Sequence, residues 1–212
     1  MNKKFNLLSF LAKNWLYYVL WALLVIFVWE IAFTIITKPK DEESVYLFFG
    51  VESARTDEMN AYLEAVKPDY VKHIDVTAYS TATKGFDYLF ATRGQLQTDI
   101  FVLPESYCDP SVMTSTFYPM DISAVKVIFG EDAQCDKAVF EGKAYGVKIY
   151  DKNTDTGKGT TYLNYTYTDN SGVKTAAGDY YLFFGKKSLH LGKLSGGSFS
   201  GALVIAQAIW KN

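Results

Sequence analysis

Val45-Tyr46-Leu47-Phe48-Phe49-Gly50 is an unbroken apolar run closed by a glycine. A strand covered on one face alternates apolar and polar residues; one apolar throughout is covered on both faces, as in a parallel sheet flanked by helices. Downstream, Thr56 is placed to cap a helix whose apolar positions Met59, Tyr62, Leu63 and Val66 stop before Pro68. Residues 70–78 form a second strand pattern with β-branched Val71, Ile74, Val76 and Thr77, and a helical pattern runs from Thr83 through Phe86, Tyr88, Leu89 and Phe90 to Gly94. Asp99-Ile100-Phe101-Val102-Leu103 repeats the buried strand and ends at Pro104. Strands alternating with helices imply parallel crossovers, and the expected fold is an α/β lobe with a mostly parallel sheet.

Upstream of Val45 lies a charged linker, residues 38–44, and before it residues 15–36, apolar apart from Glu30 and Thr34. As a helix that segment is about 33 Å long, enough for a hydrocarbon core of about 30 Å. It ends in Phe33-Thr34-Ile35-Ile36-Thr37, with neither small residues for signal cleavage nor a cysteine for lipid attachment. The expectation is an uncleaved single transmembrane helix over residues 15–37. Lys3, Lys4 and Lys13 precede it, whereas Lys38 and Lys40 are followed at once by Asp41, Glu42 and Glu43. That bias places residues 1–14 in the cytoplasm and residues 45–212 outside, in a cell membrane. Glu30 sits about two turns from the outer end of the span, where a carboxylate snorkels to the headgroups or meets a membrane partner.

The chain has 212 residues, with 21 Lys and Arg against 23 Asp and Glu. A net charge of −2 lacks the basic footprint of a nucleic-acid binder, and 49% hydrophobic residues exclude a disordered chain. Two His and two Cys, widely spaced, do not make a structural zinc cage, and no metal or other cofactor is expected. Cys108 and Cys135 either bridge in an oxidising exterior or remain buried thiols. Gly157-Lys158-Gly159-Thr160-Thr161 lacks the upstream glycine of a phosphate loop, and Gly196-Gly197-Ser198-Phe199-Ser200-Gly201 misses a nucleophile elbow by one residue. No catalytic set is expected.

In α/β sheets ligands collect outside the carboxyl ends of the strands. Here those ends lead into loops carrying Glu52 and Ser53, Ser80 and Thr81, and Glu105 and Ser106; these six and Tyr145 are the expected ligand contacts. After residue 108 the pattern changes to hairpins. One turns at Glu141-Gly142-Lys143; another, rich in Tyr and Thr, turns at Asp169-Asn170-Ser171-Gly172. Tyr162, Tyr165 and Tyr167 on the latter either fill core or, with Glu30, form a partner-binding surface. Ser200 is expected to cap a last helix, residues 201–210.

The order of these motifs resembles the type 2 extracellular solute-binding proteins that feed bacterial ABC importers, the maltose-binding class. The matching residues are Asp99-Ile100-Phe101-Val102-Leu103-Pro104, Tyr118-Pro119-Met120-Asp121 and Gly142-Lys143-Ala144-Tyr145-Gly146-Val147, within residues 45–150. The resemblance implies a non-enzymatic binding protein with a small-molecule solute and an integral membrane transporter as partners. Two departures qualify it: Lys148 stands where the family has proline, and only a short segment separates Tyr150 from Tyr180, where the family opens a second lobe. The expectation is a lobe reduced to roughly one half and anchored in the membrane, or an accessory or scaffold subunit that docks on a membrane complex without binding solute.

Overall fold

The computed structural model describes residues 7–168, 172–191 and 201–212. It divides into two units, residues 1–39 and 40–212. The first is the helix α1 (Leu7–Thr37). Its stretch Asn14–Ile36, 23 residues, is long and apolar enough to cross a membrane. Large apolar side chains from Trp15 to Ile36 are exposed, and the Thr34 hydroxyl donates to the Glu30 carbonyl at 2.7 Å, satisfying a polar group within the apolar stretch.

In the second unit the chain runs through β1 (Ser44–Phe49), β2 (Ser53–Ala54), α2 (Thr56–Val66) and β3 (His73–Ala78). Then come α3 (Phe86–Leu89), a π-turn over Phe90–Gly94, α4 (Gln95–Gln97) and β4 (Ile100–Pro104). Two helices follow, α5 (Pro110–Thr116) and α6 (Ile122–Phe129), then β5 (Val139–Phe140), β6 (Lys143–Ala144), β7 (Gly146–Asp151) and β8 (Thr156–Gly157). The described chain ends with β9 (Leu163–Asn164), β10 (Thr166–Thr168), β11 (Lys174–Ala176), β12 (Tyr180–Phe184) and α7 (Gly201–Trp210).

Six strands form one mixed sheet in the order β3-β1-β4-β12-β7-β8. The helical crossovers make β1 parallel to both β3 and β4, as the alternating pattern predicts. The other half is antiparallel, with β12 running against both β4 and β7 and β8 returning along β7. Alternate residues of β1 feed opposite faces. Val45, Leu47 and Phe49 join a core with Met59 and Leu63 of α2 and Ile205 and Ile209 of α7. Phe48 joins the other, with Phe86, Phe90, Phe101, Met113, Phe117 and Phe183. An apolar run without alternation is what such two-sided cover requires.

Several details depart from the sequence reading. Arg55, not Thr56, is the N-cap of α2, because helical backbone already begins at Thr56. The first hairpin is a two-residue turn of Glu141 (φ 50°) and Gly142 (φ 76°) between β5 and β6; Lys143 lies in β6, and Gly146 onward belongs to the large sheet. The Tyr-rich segment is split. Its first part, β9, pairs with β2, and only β10 and β11 make the hairpin. Cys108 and Cys135 are both free thiols, the latter buried, so no bridge staples this region. Ser200, the turn residues Asp169, Asn170 and Ser171, and the flanking Lys3 and Lys4 lie outside the described residues.

Candidate functional site

The carboxyl ends of β1, β3 and β4 lie side by side, because Phe49 pairs with Ala78 on one side and Val102 on the other. The loops leaving them therefore converge. Gly50 allows this: a Cβ there would meet Phe86 at 2.7 Å, Leu103 at 2.8 Å and Thr81 at 3.2 Å, so only glycine lets the β3 loop settle on the β1 loop. Across that junction the Ser80 hydroxyl donates to Glu52 Oε2 at 3.1 Å and accepts from the Ala82 N–H at 3.2 Å.

Beside it opens a cleft of about 630 Å³ lined by Thr81, Asp87, Glu105, Ser106, Tyr107 and Lys137, among others. That volume lies within the range of small-molecule sites, about 300–1,000 Å³. Tyr107 donates its hydroxyl to Asp87 Oδ1 at 2.9 Å, while its ring stands edge-on to Phe90 with centroids 4.8 Å apart. Burial, helped by the Asp87 carboxylate, pushes the Tyr107 phenol above its ordinary pKa, which keeps it a donor. Lys137 forms an ion pair with Glu105 and lies 3.9 Å from Asp179 Oδ2, and the Glu105 hydrogen bond raises its pKa.

Asp179 joins this cleft to a partly buried charge cluster around Lys148. Its carboxylate, nearly covered, accepts from Lys152 N–H at 2.9 Å and approaches Lys148 Nζ at 3.3 Å. Lys148 also reaches Asp136 at 2.6 Å and Asp151 at 3.4 Å. Burial opposes the Lys148 charge, but hydrogen bonding to Asp136 and the surrounding negative groups outweigh it and raise the pKa. At the root of β12, Tyr180 and Tyr181 are fully buried, the Tyr180 hydroxyl beside Thr81 and the Tyr181 hydroxyl beside the Lys137 backbone. Burial and then the Glu52 carboxylate push Tyr180 up to about 12, and Thr81 is its hydroxyl neighbour.

The expected ligand residues do not all meet here. Thr81, Glu105 and Ser106 line the cleft; Glu52 and Ser80 pair with each other and are not among its lining residues. Ser53 instead lies in β2, its hydroxyl accepting from Asn164 Nδ2 at 3.4 Å, and lines a separate cleft of about 410 Å³ with Arg55, Tyr150, Asp155 and Asn164. Tyr145, the residue between β6 and β7, is buried in the aromatic core cluster. The three tyrosines read as either core or contact surface divide between the two. Tyr165 is 2% exposed, stacked on Tyr150 at 4.7 Å with its hydroxyl donating to the Lys158 carbonyl at 2.7 Å. Tyr162 stacks on Tyr62 of α2 at 5.6 Å, and of the three only Tyr167 is exposed.

Sequence reasoning missed Asp87, Lys137, Asp179 and Tyr180. Asp87 reads as a first-turn helix residue, and the other three come from segments that only sheet pairing brings to this edge. Among the described residues no group of three or more His, Cys, Asp or Glu is arranged to hold a metal.

Comparison with protein-family models and with curated proteins finds no match. Among solved structures, the chain is similar to the maltodextrin-binding protein MalE1 of L. casei BL23, with 12% identity, 50% of this chain and 29% of that one covered, and a TM-score of 0.36. It is also similar to the galacto-N-biose/lacto-N-biose I-binding protein of the Bifidobacterium longum ABC transporter, with 12% identity, 54% and 30% coverage, and a TM-score of 0.37. The chain thus spans less than a third of the length of these two binding proteins. Both likenesses are distant and partial.

Proposed function

We propose that the chain is a membrane-anchored extracytoplasmic binding module, with residues 15–37 crossing the cell membrane once, the N-terminus in the cytoplasm, and the domain beyond the linker holding a small solute for an integral membrane transporter. The observation that carries this reading is the strand-end cleft of about 630 Å³. It brings hydroxyls, carboxylates, an ammonium group and an aromatic ring together where open α/β sheets bind ligands. The role is that of a solute-binding protein reduced to one lobe, in which residues 151–179, forming β8 to β11, occupy the sequence position of a second lobe.

The test is mass spectrometry of small molecules and proteins released from the full chain purified from its membrane in mild detergent. A retained small molecule, lost on Glu105→Ala and Ser106→Tyr, is the expected result. A stoichiometric membrane protein with no small molecule instead supports the second reading, a scaffold subunit docking through Glu30, Tyr162 and Tyr167. That alternative draws on the exposed Tyr167 and Val173 of the β10–β11 hairpin.

A further inference from the structure

The chain enters the lobe at the end of the sheet opposite the strand-end cleft, and it is tied down there. The carbonyls of Asp41 and Ser44 accept from His190 Nε2 at 3.3 and 2.9 Å, and the Glu43 carbonyl accepts from the Lys72 N–H at 2.7 Å. Lys40 belongs to the same turn, its carbonyl accepting from the Glu43 N–H at 2.8 Å and from the Ser44 hydroxyl at 3.0 Å. Since α1 ends at Thr37, only Lys38 and Pro39 separate it from this turn. Three residue steps reach at most about 11 Å. A headgroup layer is about 5–7 Å thick, so a span ending at Thr37 holds Lys40 within or just above it.

A second observation concerns the side chains at that same end. Leu96 and Leu189 are 58% and 52% exposed, and both line one cleft of about 230 Å³ with Asp41, Ser44, Lys187 and His190. They come from α4 and from the turn after β12, and meet because β12 runs against β4, with Phe184 opposite Ile100. Charge at this end is close to balanced. Lys72 pairs with Glu43 at 2.7 Å, and exposed Lys40 and Lys187 stand against exposed Asp41 and Glu42.

From the two-residue tether and the paired leucines, we propose that this end of the lobe docks on the bilayer that α1 crosses, with Leu96 and Leu189 entering the boundary between headgroups and acyl chains. The inference rests on the reading of residues 15–37 as a membrane span and adds a lipid-facing surface to the domain. Two leucines fall far short of the area that a stable dimer buries, about 800 Å² per partner. Lipid is a different occupant, because the tether keeps it at high effective concentration and even a small apolar contact then counts. β1 runs six residues from this end, about 20 Å, so docking leaves the strand-end cleft facing the aqueous side.

The test uses the full chain in phosphatidylcholine nanodiscs, with Leu189→Cys carrying the polarity-sensitive fluorophore NBD. Ser106→Cys, just beyond the far end of β4, is the aqueous comparison; Val25→Cys, within the apolar helix, reports the span; the unsubstituted chain with Cys108 and Cys135 is the labelling blank. The label at position 189 is expected to be blue-shifted, quenched several-fold more by doxyl lipid than that at 106, and shielded from iodide, in low and high salt alike. Leu96→Glu should lower the docked-to-free ratio about tenfold, the equivalent of one leucine's burial. A label at 189 that iodide quenches as it does at 106, while the one at Val25→Cys is quenched by doxyl lipid, overturns the docking and leaves the span. A label at 189 shielded from iodide but untouched by doxyl lipid is covered by protein, which overturns the lipid assignment. No lipid quenching at Val25→Cys removes the span and the docking with it.

Discussion

Lys148 is enclosed by Asp136, Asp151 and Asp179, with its side chain 10% exposed. Replacing it with Met keeps the stem but leaves Asp179 buried without its cation, and breaking one partner out of such a cluster costs about 3–5 kcal/mol. Lys148→Met is expected to lower the urea midpoint by that equivalent, and Lys148→Met combined with Asp179→Asn should recover part of the loss. Cys108 gives a kinetic prediction. Burial, with Glu105 adding to it, pushes its thiol up to about 12, so at pH 8 its thiolate is scarce. Ellman's reagent should find two thiols in unfolded protein, whereas native Cys108 should react roughly 100-fold or more slowly. A missing pair of thiols after unfolding would mean a bridge absent from this structure. At this scale the sequence pointed to part of the candidate site. Glu52, Ser80, Thr81, Glu105 and Ser106 follow from knowing where strands end. Tyr145 and Tyr165 each sit at the junction of two short strands, and the sequence does not say whether such a ring faces solvent or core.

At the scale of elements, two backbone positions separate tolerance from strain. Gly185 follows β12, and a Cβ there would stand 2.0 Å from the Thr98 carbonyl oxygen, a backbone atom that cannot move aside without disturbing β4. Gly185→Ala is expected to destabilise by about 3 kcal/mol or more, a Tm loss of roughly 6–12 °C for a domain of this size. Glu141, at φ 50° beside Gly142, occupies a left-handed position that suits asparagine better. Glu141→Asn should stabilise the β5–β6 turn by a few tenths of a kcal/mol, read as a higher urea midpoint with unchanged slope. β1, β4 and α2 were legible because each combines a local apolar pattern with a terminating Gly or Pro, and β3 because of its β-branched residues. The two-residue strands β2 and β9 were not, because their pairing joins Ser53 to Asn164 and has no local signature.

At the scale of the molecule, the chain separates into an apolar helical unit and a globular one. A chain starting at Lys40 is expected to stay in the aqueous phase of a Triton X-114 separation and melt as the globular unit of the full chain does, while the full chain partitions into detergent. With the N-terminus inside, a cysteine introduced at Asp155 should be labelled by an impermeant maleimide on intact cells, and one at Asn2 should not. Stability should also follow pH with a defined sign. Asp151, held low by the Asn153 N–H, and Asp109, held low by the Ser111 hydroxyl and N–H, stabilise the fold fully above the carboxylate range, and this is lost as pH falls through their depressed folded values. Asp99 works in the opposite sense, because burial raises its pKa against the hydrogen bonds from Ser188 and Tyr46. The raised Lys148 keeps its contribution at neutral pH and loses it only as pH rises through its folded value. The urea midpoint should therefore be level near neutrality and fall in acid, and Asp151→Asn should make that fall shallower.

The sequence by itself determined the apolar span, the alternating strands and helices of the lobe, and the loops in which a ligand site would lie. These follow from periodicity and chain-terminating residues, which act over a few positions. Only the tertiary structure decided that β12 returns antiparallel into the sheet, that Tyr165 is core, and that Lys137, Asp179 and Tyr180 meet the loops after β1, β3 and β4. Those outcomes depend on strand partners far apart along the chain, chosen by which apolar faces can be buried together.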